Sequence, residues 1–367
     1  MTSKLSLYLH IPFCVKKCDY CAFYSLSGVT DDVKQEYFEA LVRQLDFLET
    51  DREIQTIYLG GGTPPVLGVL RLCKLIEHIR TRFILSPDCE ITVEVNPKTV
   101  DFNDLSALYI SGANRLSVGV QSANDDILRS IGRIHSFSDA ADCIRDAYRA
   151  GFKNVSADVI FALPSLTAET LKQTLELIML TNVDHISAYS LQLEEGTPLY
   201  SRRGSLVLPD EECEEEQYEL ICDTLKSNRF SHYEVSSFAK PGFESRHNLN
   251  YWACGEYFGL GAGAHSFYKG KRFSTPQSVQ DYISRSRISL LAPTDYDASP
   301  FQTDYDLYEE SIMLGLRTSR GAVIPPEKRN AASRIASLGF GTFDGVTLRL
   351  NSKGFRVSNA VIAEILG

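Results

Sequence analysis

Six short apolar runs alternate with helical stretches through the first 200 residues, and this alternation limits the fold more than any other feature. The runs are rich in Val, Ile, Leu and Tyr, which favours strands; they are KLSLYLHI (4–11), IQTIYLG (54–60), CEITVEVNP (89–97), NRLSVGVQS (114–122), NVSADVIFALP (154–164) and DHISAYSLQL (184–193). Between them, apolar residues recur at helical spacing, as at Tyr37, Leu41, Leu45 and Leu48. Strands separated by helices predict right-handed βαβ units and a parallel α/β sheet, either open or closed into a complete or partial barrel.

The ends of the predicted strands carry polar residues or a glycine-rich turn. They are His10, GGGTP (60–64), Glu94, Gln121, Asp158 and Tyr189. Because ligands of parallel α/β folds bind at the C-terminal ends of the strands, the pattern predicts one shared pocket. Glycines let a backbone approach a ligand closely, although a plain strand-to-helix turn also accounts for GGGTP. Asp158 is costly in an apolar strand unless it is paired, which favours a ligand role, and Arg133 suits either a bound carboxylate or a surface ion pair.

Length and charge limit the class of protein. The chain has 367 residues, so it can bury a large core. Its net charge is −10, so it lacks the excess of Lys and Arg that a nucleic-acid surface favours. No apolar run reaches the roughly 18 residues of a membrane span, and the N-terminal segment is too short and interrupted for a signal peptide. We therefore expect a cytoplasmic protein with no nucleic-acid partner and no integral membrane span. Peripheral membrane contact and the oligomeric state are left open.

Three of the nine cysteines, Cys14, Cys18 and Cys21, lie within eight positions in CVKKCDYC. A structural zinc site uses four protein ligands, and His10 is a candidate for the fourth. A [4Fe–4S] cube held by three thiolates instead leaves one iron open to a substrate. The spacing favours the cluster over zinc or free thiols. The other six cysteines are expected to be small buried hydrophobic residues.

The chain changes in character after about residue 200. We expect residues 1–200 to form the core with the pocket, residues 201–290 a connecting region, and residues 291–367 a smaller, mainly helical C-terminal domain. PDEECEEEQYELICDTL (209–225) predicts a helix whose acidic first turns suit its positive end. GVTLRLNSKGFRVSNAVIAEIL (345–366) predicts a strand, a Gly turn and a closing helix, similar to a winged-helix unit.

The motif CVKKCDYC resembles the CxxxCxxC signature of the radical S-adenosylmethionine (SAM) superfamily, where it follows the first strand. This resemblance implies a partial (β/α)6 barrel, a [4Fe–4S] cluster on the three cysteines, and SAM bound to the open iron. In that superfamily the reduced cluster cleaves SAM to a 5′-deoxyadenosyl radical.

A closer resemblance spans nearly the whole chain. YLHIPFC, GGGTP, EVNP, SVGVQS, IGRIHS, DVIFALP, LGLGAGAHSF and EESIMLGLR are similar, in order and spacing, to the oxygen-independent coproporphyrinogen III oxidase family. The resemblance implies that a first SAM lies among Tyr8, Gly61, Glu94, Gln192 and His265. It also implies that the place where the oxidases hold a second SAM corresponds to Tyr20, Gly62, Thr63, Gln121, Arg133 and Asp158. Whether one or two molecules bind is left open.

Two departures from the oxidases are shared with the HemW-type heme chaperones. The oxidases have a further cysteine where this chain has Phe23, and a substantial arm before the cluster where this chain has 13 residues. RHNLNYW (246–252) also matches the HNxxYW motif of the chaperones, whose His is implicated in heme contact. This resemblance implies heme at His247, with Tyr251 and Trp252 as flat apolar surfaces. A satisfied core histidine is the alternative.

The expected function is that of a heme chaperone that binds heme, a [4Fe–4S] cluster and SAM, and delivers heme to acceptor proteins. The radical SAM centre is complete in sequence, but coproporphyrinogen oxidase activity is not expected. The main alternative is oxidative decarboxylation of coproporphyrinogen III without oxygen. A radical enzyme on another substrate and a zinc-binding structural protein are weaker alternatives. The acceptor protein, the axial ligation of the heme and the use of SAM cleavage are left open.

Overall fold

The computed structural model describes residues 4–287, 297–298 and 304–367. Its strands are β1 (Leu5–Ile11), β2 (Phe13–Cys14), β3 (Leu26–Ser27), β4 (Ile54–Gly61), β5 (Leu85–Val95), β6 (Arg115–Gln121), β7 (Val155–Phe161), β8 (His185–Ser190), β9 (Ser231–Glu234), β10 (Ser237–Ala239), β11 (Tyr257–Leu260), β12 (His265–Tyr268), β13 (Lys271–Ser274), β14 (Asp297–Ala298), β15 (Ala322–Val323), β16 (Gly341–Phe343) and β17 (Thr347–Leu350). Its α-helices are α1 (Asp31–Phe47), α2 (Val69–Arg82), α3 (Phe102–Ser111), α4 (Asp125–Ser130), α5 (Phe137–Ala150), α6 (Ala168–Met179), α7 (Pro198–Ser201), α8 (Glu211–Ser227), α9 (Arg246–Trp252), α10 (Val279–Arg287), α11 (Asp304–Gly315), α12 (Arg329–Ser337), α13 (Ser352–Arg356) and α14 (Ser358–Leu366).

The centre of the molecule is a parallel sheet in the strand order β1-β4-β5-β6-β7-β8. Each of these strands coincides with one of the six apolar runs, so the strand prediction is confirmed. Helices lie between successive strands along the chain. The arrangement is a partial (β/α)6 barrel, and the predicted fold class is confirmed.

Residues 201–290, expected to be a connecting region, add strands to both edges of this sheet. Beside β1, β11 pairs in parallel, and β12, β13 and β14 continue from it in antiparallel order. Beside β8, β10 and then β9 pair in antiparallel order. These added strands have three or four residues each where they fall within 201–290, too few for an alternating pattern to mark them in the sequence.

Strand β1 shows how the sheet divides apolar from polar residues. Leu5, Leu7, Leu9 and Ile11 are fully buried and belong to the main apolar core, which also includes the buried face of α1. Because side chains alternate along a strand, the residues between them point to the opposite face, the interior of the barrel. That interior face is polar, and it supplies the side chains of the candidate site.

Local sequence signals define the helices that separate the strands. Helix α5 begins with a capping box between Ser136 and Asp139, and it ends at Gly151 in the left-handed conformation that glycine tolerates. Asp210 caps the N-terminus of helix α8, because its side chain accepts from the backbone N–H of Cys213, and the first turn of the helix is acidic. The predicted acidic helix start is therefore confirmed. In the part of the chain that the structure describes, no helix combines the length and apolarity needed to cross a membrane.

The C-terminal segment forms a small domain with its own apolar core. Strands β15, β17 and β16 make an antiparallel sheet, and Ile312, Leu316, Ile324, Leu348 and Phe355 are among the residues buried beneath it and α11–α14. The predicted Gly turn is wrong, because Gly354 lies inside helix α13, which Asn351 caps. A Cβ at Gly354 would lie 2.0 Å from the carbonyl oxygen of Phe340, so close packing accounts for the glycine.

Candidate functional site

A cavity of about 520 Å³ lies at the C-terminal ends of the parallel strands. Most of the site residues that the sequence indicated line it: Cys14, Cys18, Tyr20, Cys21, Gly61, Gly62, Thr63, Glu94, Gln121, Arg133, Asp158 and Gln192. They come from the loop after β1 and from the ends of β4 to β8, or just beyond them. These residues therefore form one pocket at the C-terminal edge of the sheet, where the strand pattern predicted it.

The three cysteines lie on a loop that hydrogen bonds hold over the cavity. Within it, β2 pairs with β3, the N–H of Cys21 donates to the carbonyl of Cys18, and the N–H of Asp19 donates to Ile131. All three thiols are free and partly exposed. Among the described residues, no three Cys, His, Asp or Glu side chains are placed to share one metal ion. Three thiolates that each bind a different iron of a cube need no such convergence, so the donor set fits a [4Fe–4S] cluster.

The glycines of GGGTP lie directly beneath this loop. The N–H of Gly62 donates to Ile11 and that of Thr63 to Phe13. A Cβ at Gly62 would lie 2.8 Å from the Phe13 carbonyl oxygen and 3.1 Å from the Cys14 sulfur. A side chain here would therefore displace the cysteine loop, which explains the need for glycine at this close approach.

Glu94 is a carboxylate held in place from two sides. Its Oε1 accepts from the Tyr58 hydroxyl at 2.7 Å and its Oε2 from the Gly61 N–H at 3.1 Å. Burial raises the pKa of Glu94 to about 7, Asp158 adds to this rise, and Tyr58, the Gly61 N–H and Arg115 oppose it. A ligand ammonium or hydroxyl would favour the ionised form, so Glu94 fits a cationic or hydroxyl-bearing part of SAM.

Asp158 and Gln121 occupy neighbouring strands on the far wall of the cavity. Burial raises the pKa of Asp158, and its carboxylate accepts from the Ser117 hydroxyl at 3.1 and 3.2 Å. The register of β6 against β7 shifts between Gly119 and Gln121, and Gln121 has a φ of 67°. A non-glycine residue in this region is strained, and such strain at a strand end commonly accompanies ligand sites.

Arg133 reaches the cysteine loop from beyond β6. Its Nη1 donates to the Cys18 sulfur at 3.4 Å and its Nη2 to the Gly119 carbonyl at 2.6 Å. Its Nε is buried and has no hydrogen-bond partner among the described residues. A buried guanidinium N–H without a partner is costly. Arg133 also lines the cavity, so its guanidinium is placed to pair with a carboxylate that binds there.

Asn96 and Gly119 are site residues that the sequence analysis missed. Asn96 stands two residues after Glu94 in EVNP, a spacing that places both side chains on the same face of a strand. It lines the cavity. Gly119 stands two residues before Gln121 in SVGVQS and also lines the cavity. The period of two along a strand was the signal that could have identified both.

Two of the residues assigned to SAM lie outside the cavity lining. The Tyr8 hydroxyl is 3.0 Å from His10 Nδ1, and the Tyr8 ring lies beside Tyr58, one layer below the cavity. His265 is exposed at the start of β12, which is separated from β1 by β11. Resemblance alone placed these two with the others, and the structure does not bring their side chains to the cavity wall.

His247 lies inside helix α9 and is only 1% exposed. Its Nδ1 is 2.8 Å from the Thr56 hydroxyl and its Nε2 is 2.8 Å from the Tyr251 hydroxyl. Burial, followed by the charge of Arg115, lowers the pKa of His247 to about 3, so the ring is neutral. Both ring nitrogens therefore have a hydrogen-bond partner. This is the arrangement expected for a satisfied core histidine, the alternative to heme contact. Heme ligation by His247 would require α9 to move.

Comparison with known proteins agrees with this geometry. The model of the radical SAM superfamily matches residues 8–178. The heme chaperone HemW of Lactococcus lactis is 37% identical over 87% of this chain and 83% of that protein. The Bacillus subtilis heme chaperone HemW is 36% identical over 95% of this chain and 92% of that protein.

The fold is also that of a solved structure. The coproporphyrinogen III oxidase HemN of Escherichia coli, a radical SAM enzyme, superimposes with a TM-score of 0.86 over 99% of this chain and 90% of that one, at 20% identity. That identity is low enough for the match to bear on fold alone. The sequence relatives decide the family: this chain belongs to the HemW family within the radical SAM superfamily.

Proposed function

We propose that this protein is a heme chaperone that holds a [4Fe–4S] cluster and SAM in the cavity and delivers heme to acceptor proteins in the cytoplasm. The observation that carries the proposal is the similarity to proteins named heme chaperone HemW over most of both chains. Phe23, in place of the further cysteine of the oxidases, supports the same choice.

Cys14, Cys18 and Cys21 would hold the cluster, whose open iron would bind the amino and carboxylate groups of SAM. Glu94 would orient the ribose or the ammonium group, and the Gly61–Gly62 backbone would allow the close approach. Arg133 would pair through its guanidinium with a carboxylate, while Asp158 and Gln121 line the same space. Tyr20, Thr63 and Gln192 complete the wall.

Heme at His247 remains part of the proposal, under a condition that the geometry sets. The imidazole is neutral, as an iron ligand must be, but it becomes available only when Thr56 or Tyr251 releases one of its nitrogens. Helix α9 has seven residues, and its first N–H groups are held by Glu90. Because the helix is short, opening it would break fewer backbone hydrogen bonds than opening a longer one.

The first experiment tests the cluster. Anaerobic reconstitution should give about four irons per chain, as a three-thiolate cube requires. Replacing Cys14, Cys18 or Cys21 by Ala should abolish iron uptake. Replacing Cys73 or Cys143, which are buried in the apolar core, should leave it intact. A stable zinc content without iron uptake would contradict the proposal.

The second experiment separates the chaperone from the oxidase. Heme-loaded protein should convert an apo-hemoprotein to its holo form faster than it loses heme to solvent. The same preparation should form no protoporphyrinogen IX from coproporphyrinogen III under anaerobic, reducing conditions with SAM. Multiple turnovers to that product would assign the protein to the oxidase function. Failure of the wild-type protein to bind heme would exclude the chaperone function.

A further inference from the structure

Asn96 lies between the donors that reach two of the three cysteine sulfurs. Its Nδ2 donates to the Thr63 hydroxyl at 2.7 Å, and that hydroxyl is 3.7 Å from the Cys14 sulfur. On its other side, Oδ1 accepts from Arg133 Nη2, while Arg133 Nη1 is 3.4 Å from the Cys18 sulfur. One amide therefore contacts both the Thr63 hydroxyl and the Arg133 guanidinium, which donate to these two sulfurs.

The direction of these hydrogen bonds is determined by chemistry. Arg133 can only donate, so the Asn96 group facing it must be the carbonyl oxygen. The amide NH₂ then faces Thr63, whose hydroxyl accepts from it and keeps its single proton for the Cys14 sulfur. A carboxylate at position 96 would accept from Thr63 instead and turn that proton away from Cys14.

The neighbouring strand leaves room for this arrangement. A Cβ at Gly119 would lie 2.6 Å from Asn96 Oδ1 and 2.9 Å from Arg133 Nη2. The Gly119 carbonyl accepts from the same Nη2. Glycine at this position of β6 therefore admits the amide and the guanidinium side by side.

We propose that Asn96 is a positioning residue that controls the hydrogen bonds received by the Cys14 and Cys18 sulfurs, and thereby the reduction potential of the cluster. The inference rests on the proposed function, since it requires a [4Fe–4S] cluster on these cysteines. Hydrogen bonds to ligand sulfurs stabilise the more negative, reduced state of a cluster and raise its potential. Asn96 would act without touching the iron, by holding Thr63 and Arg133 in orientation.

The test is a redox titration of the anaerobically reconstituted full-length protein, followed by electron paramagnetic resonance in the absence of SAM. Asn96→Leu removes both amide contacts without adding charge, and it should shift the potential to more negative values. Thr63→Val removes the donor to Cys14 and should shift it in the same direction. Thr63→Ser retains the hydroxyl and should keep the wild-type potential. The double variant Asn96→Leu/Thr63→Val should shift less than the sum of the single variants, because both break one chain of contacts.

A wild-type potential in Asn96→Leu with full iron content would overturn the inference and leave the proposed function standing. If Asn96→Leu takes up no cluster, Asn96→Ala decides by the same titration. That variant also removes both amide contacts without adding charge and should shift the potential downward, so an unchanged potential overturns the inference. Failure of the wild-type protein to assemble a cluster would instead overturn the proposed function, and this inference with it.

Discussion

At the scale of the single residue, the charge of Arg115 acts on the Glu94 carboxyl within the barrel. Arg115 is 2% exposed, and its Nε has no hydrogen-bond partner within the described residues. Its charge acts on Glu94 from a distance and opposes the rise in pKa that burial causes. Tyr58, the Gly61 N–H and Asp158 also affect the pKa of Glu94. Besides burial, the charge of Glu94 in turn raises the pKa of the surrounding tyrosines, which are Tyr8, Tyr58, Tyr189 and Tyr251.

We expect the affinity for SAM to depend on pH through Glu94. A carboxyl with a pKa of about 7 is neutral below that pH and ionised above it. If the ionised form binds the ligand, affinity rises as pH increases through about 7 and levels off above it. Equilibrium dialysis of the cluster-loaded protein between about pH 6 and 8 should show this rise.

Three variants test this explanation. They are measured at the same pH values as the wild type, so the ionisation of SAM itself affects all the proteins equally and does not change the comparison. Glu94→Gln should bind more weakly and should lack the rise. Arg115→Met should move the rise to higher pH, because it removes a charge that favours ionised Glu94, whereas Arg115→Lys should keep the wild-type profile. A pH profile of Glu94→Gln identical to that of the wild type would refute the role of Glu94.

At the scale of the element, the turn after β4 supports the cysteine loop. Gly62→Ala should lower the iron content after reconstitution while the fold is retained, because the added methyl group meets Phe13 and the Cys14 sulfur. Gly204→Ala is the matched control, since a Cβ at Gly204 meets no atom within 4 Å. Iron analysis and circular dichroism measure the two effects. Full iron content in Gly62→Ala would show that the loop adapts.

Helix α9 gives the second prediction at this scale. His247→Ala removes the ring nitrogen that faces the Tyr251 hydroxyl and one of the two partners of the Thr56 hydroxyl, which keeps Ser6, and it opens a small cavity. It should therefore lower the free energy of unfolding by about 2–4 kcal/mol. His265→Ala, at an exposed position, is the control and should change it by less than about 0.5 kcal/mol. Denaturant unfolding measures both.

Heme titration of the same two variants separates the roles of His247. If His247 binds heme, its variant should bind heme more weakly at a temperature where it remains folded, with unchanged iron–sulfur content. Unchanged heme affinity in His247→Ala would assign the residue to core packing alone and exclude it as the heme ligand.

At the scale of the whole molecule, the alternation of strands and helices was sufficient to predict the central parallel sheet, and the family resemblance added that this sheet forms a partial barrel. Period-two patterns identify which residues share a face, and six such runs with helices between them admit few arrangements. The strand-end rule then placed the pocket correctly, with Cys14, Glu94 and Asp158 in its wall.

What the sequence could not predict are contacts between segments far apart in the chain. The burial of His247 depends on Thr56, 191 positions earlier, and the bond from Arg133 to Asn96 spans 37 positions. No local pattern encodes such pairs, because they form only when the barrel closes. The added edge strands β9 to β13 were not predicted for another reason, because three or four residues are too few to show an alternating pattern.

The barrel also places the cavity proposed for SAM and the His247 region proposed for heme at opposite ends of one polar interior. The Tyr58 hydroxyl donates to Glu94 at the cavity, and the Tyr58 ring lies 5.0 Å, centre to centre, from the His247 ring. If heme engages His247, α9 must move, and the packing around Tyr58 changes with it. Any effect of heme on SAM affinity must be matched by an equal effect of SAM on heme affinity.

We therefore expect SAM to bind with a several-fold different affinity to heme-loaded and heme-free protein, within the roughly 5–150-fold range of typical coupled sites. Tyr58→Phe removes the hydroxyl that holds Glu94 and should bring the ratio of the two affinities close to one. Tyr308→Phe, at an exposed position of the C-terminal domain, should leave the ratio unchanged. Calorimetric titration of each variant, with and without heme, measures the ratio. Equal affinities in the wild type at full heme occupancy would mean that heme binds without moving α9, and therefore not through His247.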